Sequence, residues 1–199
     1  IHMRPIRRSL WPQPRPGLAR KGSPKLAKTI AERSLQLTHL SVSFLIEAFY
    51  FFRPEQRLWT WQHLEFLSLT SELLRPTRGY IMLWSLLYFA ALVASRMPML
   101  QEMILWNGGK GHACAFSYSR QKAAITVQST WGFRLHHTVE AIWQRLLMLH
   151  TGCRLHVDVR AINGAAILCH GDAIRELGLP SGVIDAGSLS QMRQEARMV

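Results

Sequence analysis

From residue 27 to residue 106 the apolar positions recur at helical spacing, and beyond residue 111 they alternate. Leu37, Leu40, Phe44 and Leu45 are followed by Ala48, Phe49 and Phe52, which predicts one helix over Ala27–Phe52. Arg53-Pro54 ends it, because the residue before proline is pushed out of the helical region. Pro54 then opens a second helix, Glu55–Leu74, carrying Leu58, Trp61, Leu64 and Leu69 and stopping at Arg75-Pro76. The two form an antiparallel pair. Gly79–Ser95 holds no charge between Arg78 and Arg96 and is apolar all round, so it must be buried. Two burials suit it. It stands at the lower length limit of a membrane span, with Tyr80 and Trp84 at an interface. A helix at the centre of a soluble core has the same composition. A short helix, Met99–Trp106, follows Pro98.

Asn107-Gly108-Gly109-Lys110-Gly111 breaks the pattern and reads as a hinge. Beyond it a strand over residues 113–118, a polar turn at Ser119–Lys122 and a strand over Ala123–Trp131 are predicted. An amphipathic helix follows, Thr138–His150, with Val139, Ile142, Trp143, Leu146 and Leu147 on one stripe and Gly152 at its end. Leu155, Val157 and Val159 alternate with His156, Asp158 and Arg160 in a half-buried strand. Ile167–Leu177 reads as a helix, Val183-Ile184 as a last short strand. The expected fold is α+β: a basic extended arm (1–31), a hydrophobic helical region (32–106), a hinge (107–111), a β-β-α-β-α-β domain (112–187) and a charged tail (188–199).

Charge changes this picture at one end. The 199 residues carry 24 Lys and Arg against 12 Asp and Glu, a net charge of +12. Arg4, Arg7, Arg8, Arg15, Arg20, Lys21, Lys25 and Lys28 all precede the first acid, Glu32. Pro5, Pro12, Pro14, Pro16 and Pro24 interrupt the same stretch, so extended backbone is expected there. An extended cationic arm suits phosphates, where neutralisation releases counterions, or anionic headgroups. Trp11 stands among the arginines, placed to stack on a base or to sit at a lipid interface. These eight cations and Trp11 are the candidate binding residues. An Arg-rich, acid-free start is also the composition of an organellar targeting segment. If Ile1-His2 is a cloning remnant, Met3 is the native start.

No pattern of catalytic residues stands out. The glycines at 108–111 fail the phosphate-loop pattern, since Ile104 takes its first position and Gly111 follows Lys110. Cys153-x-x-His156 and Cys169-His170 match no standard zinc spacing, and both cysteines read more simply as small buried residues. Gly178–Gly182 is no nucleophile elbow, its serine standing one place late. Asp158, Asp172 and Asp185 suit a strand surface, a helix cap and a turn. No metal and no cofactor are expected.

Several segments after residue 110 resemble small-subunit ribosomal proteins of the eleventh family. They are Gly111-His112-Ala113, the Arg120-Gln121 turn, Trp131-Gly132-Phe133-Arg134, Val157-Asp158-Val159-Arg160, Ile174-Arg175 and Val183-Ile184-Asp185. The resemblance covers roughly residues 111–189. It departs at Ser117-Tyr118-Ser119, where that family has paired asparagines, and at Ala161–Ala165, where it has a glycine- and proline-rich loop. No functional residue is therefore carried over. Together with the arm, it implies a non-catalytic structural subunit binding RNA and neighbouring proteins in an organellar ribosome. A mitochondrial or other organellar site is expected, the bacterial cytoplasm being the alternative. Two other readings stay open. One is a membrane-associated accessory subunit of a respiratory-type complex, touching the bilayer through Gly79–Ser95. The other is a small-molecule-sensing domain with a pocket near Trp84 and Tyr88.

Overall fold

The computed structural model describes residues 23–53, 58–184 and 187. The chain is α+β, built on one six-stranded mixed sheet with strands in sequence order. The elements are α1 (Pro24–Arg33), β1 (His39–Val42), α2 (Ala48–Phe51), β2 (Phe66–Thr70), α3 (Tyr80–Ala94), β3 (Glu102–Gly109), β4 (His112–Ser119), β5 (Ala124–Ser129), α4 (His137–Thr151), β6 (His156–Ala161) and α5 (His170–Glu176). β1, β2 and β3 run parallel, β3–β4 and β4–β5 antiparallel, and β5–β6 parallel.

The expected helical layer over 27–106 is corrected, since three strands lie inside it. In β1, β2 and β3 the residues facing the helices are Leu40 and Val42, Leu67 and Leu69, Met103 and Leu105. Each pair has a leucine three residues before it: Leu37, Leu64 and Leu100. The same spacing of a leucine and two further apolar residues, strictly L-x-x-L-x-L only before and in β2, accompanies three short parallel strands lying side by side. The register is consistent, with Leu40 opposite Leu67 and Leu67 opposite Met103. The first step of the pattern mimics a helical turn, and only the second reveals a strand. The long helices over Ala27–Phe52 and Glu55–Leu74 are therefore absent among the described residues, and Met99–Trp106 is mostly strand. Pro54 lies outside the described residues.

The extended backbone expected over 1–31 is corrected for 24–31, which lie in α1; 1–22 lie outside the described residues. Pro24 opens α1 rather than preventing a helix, because a first-turn residue needs no N–H donor and proline's fixed φ suits the position. Nor is 107–111 a joint between two bodies. Asn107–Gly109 complete β3, and Gly111, at φ 74°, turns the chain into β4 within the same sheet. The later elements follow their predicted places more closely, and Gly152 caps α4 in the left-handed conformation. α5 begins at His170, not Ile167, and Val183-Ile184 is no strand: Val183 is buried against the sheet. Asp185 and the tail from 188 lie outside the described residues.

Helices cover both faces. On one, α1 to α4 pack over Leu67, Leu69, Met103, Leu105, Phe116, Tyr118, Ile125 and Val127. α3 buries Leu83, Leu86, Leu87, Ala90 and Ala91, and the Trp143 indole of α4 donates to the Leu87 carbonyl at 3.1 Å. Its fifteen residues span roughly 22 Å, against a hydrocarbon thickness of about 30 Å. No helix among the described residues is long and apolar enough to cross a membrane. On the other face, Ala173, Ile174 and Leu177 with Ile167 and Val183 cover Ile104, Trp106, Ala113 and Ala115.

Candidate functional site

Of the nine candidate binding residues, Arg4, Arg7, Arg8, Trp11, Arg15, Arg20 and Lys21 lie outside the described residues. Lys25 and Lys28 stand on α1, both exposed, while Ala27 and Ala31 of the same helix are fully buried. With two small residues at this spacing, α1 lies close on the body and turns its lysines outward. Arg33 adds a third exposed cation in the last turn, where positive charge also suits the helix dipole.

A second group, not singled out from the sequence, gathers where the parallel strands end. In open sheets the crevice beyond the carboxyl ends of such strands is the usual ligand position. Here it holds Glu47, buried to 2% exposure. One carboxylate oxygen accepts the Phe49 N–H at 3.3 Å and the Ser71 hydroxyl, and the other accepts the Glu72 N–H at 2.8 Å. The Asn107 amide donates to the Ser71 carbonyl at 2.6 Å. Glu47 thus caps α2 and ties the β1–α2 connection to the ends of β2 and β3. Burial pushes its carboxyl up to about 7.

Phe44 folds over this group. It holds φ 60°, uncommon for a bulky side chain, and its N–H donates to the Thr70 hydroxyl at 2.7 Å. Its ring meets Trp106 and His170 edge-on at 5.3 and 4.8 Å. Phe44, Ile46, Glu47, Thr70, Glu72 and Asn107 line a recess of about 10 Å³, the size of one water. The carboxylate's bonds are those of a structural clamp. A signal for it exists in the sequence: Glu47 is the single acid in the apolar run Phe44–Phe52.

The remaining candidates do not assemble. Among the described residues no three His, Cys, Asp or Glu side chains form a group able to hold a metal. Cys153 is exposed and Cys169 half-buried, so the expectation that both are buried is corrected; the buried thiol is Cys114. Trp84 stacks with Tyr80 and meets His136 at a tilt, and its indole donates to the Arg134 carbonyl at 3.3 Å.

Fold and surface together define an α+β protein with a mixed sheet, a leucine-patterned parallel half and a cationic helix at its N-terminal end. Residues 3–185 match a family of unknown function, DUF6546, and the chain belongs to that family. The match indicates no ribosomal protein family. No curated protein and no solved structure matches the chain.

Proposed function

We propose that the chain is a non-catalytic subunit of a larger assembly that binds an anionic partner, RNA, through its cationic N-terminal run. The observation that carries this reading is the orientation of α1. Lys25 and Lys28 face solvent, and buried Ala27 and Ala31 fix that face relative to the body. The acid-free basic sequence thus continues onto the first two turns of a helix rooted on the body, ahead of the exposed Glu32. RNA suits such a surface because phosphate contacts need charge and reach more than shaped pockets. The body behind it supplies the scaffold.

The test is filter binding of the full chain to RNA across a salt series. Affinity is expected to fall steeply between roughly 50 and 200 mM salt, since each phosphate neutralised adds about 0.7–0.9 to the logarithmic slope. Replacing Arg4, Arg7, Arg8, Arg15 and Arg20 with Gln is expected to weaken binding and flatten that slope without lowering the melting temperature. Retention independent of salt, or unchanged binding by the Gln variant, overturns the reading.

A further inference from the structure

Among the described residues the sheet ends at β6, which pairs there with β5 alone. Its six residues, His-Val-Asp-Val-Arg-Ala, are mostly exposed, and Val159 keeps 48% of its surface. The pairing with β5 fixes which backbone groups are used. The N–H groups of His156 and Ile162 donate to Ala123 and Ser129, so the even-numbered positions point toward β5. By strand alternation, Val157, Val159 and Ala161 turn their N–H and C=O groups to the open edge. β1, the other end strand, has four residues, and its Ser41 hydroxyl is tied to the Val183 carbonyl at 2.6 Å.

We propose that β6 pairs antiparallel with β6 of a second copy, about a two-fold axis through Val159, giving a continuous sheet across two protomers. The sequence of the strand is what selects this partner. With Val159 opposite Val159 of the partner subunit, Val157 falls opposite the partner's Ala161, and the outward groups of these residues form about six hydrogen bonds. Asp158 then stands opposite Arg160 of the partner subunit, and Arg160 opposite the partner's Asp158. These fall at the non-hydrogen-bonded positions of an antiparallel ladder, where opposed side chains approach most closely. Within one chain the two already meet, with Arg160 Nη2 2.6 Å from Asp158 Oδ2, and the Arg160 side chain is 60% exposed. Pairing exchanges that contact for two equivalent contacts across the axis. A two-fold interface must be self-complementary, and a strand reading Asp-Val-Arg about its centre meets that condition. Parallel in-register pairing would set Asp158 against Asp158 of the partner subunit and Arg160 against the partner's Arg160. The proposal is independent of RNA binding.

Sedimentation equilibrium of the full chain over a range of concentrations tests it. The expected result is a reversible dimer. Asp158→Arg and Arg160→Asp each place like charges across the axis, so each alone is expected to weaken association by about tenfold or more. Mixed in equal amounts, the two variants set the arginines of one chain against the aspartates of the other at both positions, and are expected to associate again. That rescue shows both variants to be folded. A monomeric wild-type chain overturns the proposal. So do single variants that associate as well as the wild type, variants that fail to associate on mixing, or association seen only with another protein's strand.

Discussion

Glu47 is a carboxyl group held where burial strips away nearly all the water that would solvate its charge, and its three hydrogen bonds only partly compensate. A folded-state value near 7 against an ordinary 4.5 means the native state holds its proton longer than the unfolded chain does. The resulting stability is fully present below pH 4.5 and is lost as pH rises through 7. The linkage amounts to about 3 kcal/mol at most, at 1.4 kcal/mol for each tenfold change. Glu47→Gln is expected to remove this slope, at a cost of about 1 kcal/mol at pH 5 because the amide cannot accept from the Glu72 N–H in the same orientation. Urea denaturation at pH 5 and pH 7.5 measures both effects, and an unchanged slope in the variant contradicts the assignment. An acid inside Phe44–Phe52 was a visible anomaly, and its bond from the Phe49 N–H is local, yet its other two donors, Ser71 and Glu72, follow the end of β2, which only the fold brings to it. The positive φ of Phe44 left no sign at all, because neither glycine nor asparagine marks it.

At the scale of elements, legibility followed the number of repeats of each period. α4 shows four turns of a stripe and β6 three alternations, so both stand near their predicted bounds. β1 and β2 are four and five residues long, and the leucine before each imitates a helical step. β3 was obscured differently, because its glycines read as a break when one of them serves packing. A methyl group on Gly108 would lie 2.2 Å from the Ala173 Cβ of α5. Gly108→Ala is therefore expected to lift α5 from the sheet and to cost about 1–3 kcal/mol. Adding Ala173→Gly should recover much of that loss, less the helical penalty of glycine of about 1 kcal/mol. Thermal melts of both single variants and the double variant decide the matter, and additive losses would show that the two positions do not touch.

For the whole molecule, the sequence announced its α+β class and its uneven charge, but not a single sheet. A change of period at residue 107 looked like a boundary between two bodies, whereas the strands on either side of it are hydrogen-bonded neighbours. Lys25 and Lys28 were legible as cations; their common outward face depends on which side of α1 is buried. The order of the sheet has a kinetic consequence. Its centre, β3–β4, joins residues adjacent in sequence through a tight turn, while β1 and β6 reach their places only after long connections. Loop closure costs least at the centre, so the folding nucleus is expected there, with the outer strands added late. Leu105→Ala and Phe116→Leu should slow refolding, whereas Leu40→Ala and Val157→Ala should mainly accelerate unfolding; stopped-flow chevrons separate the two. A chain that consolidates from the middle leaves its terminal strands to form last, and they are the first ground lost when the protein opens.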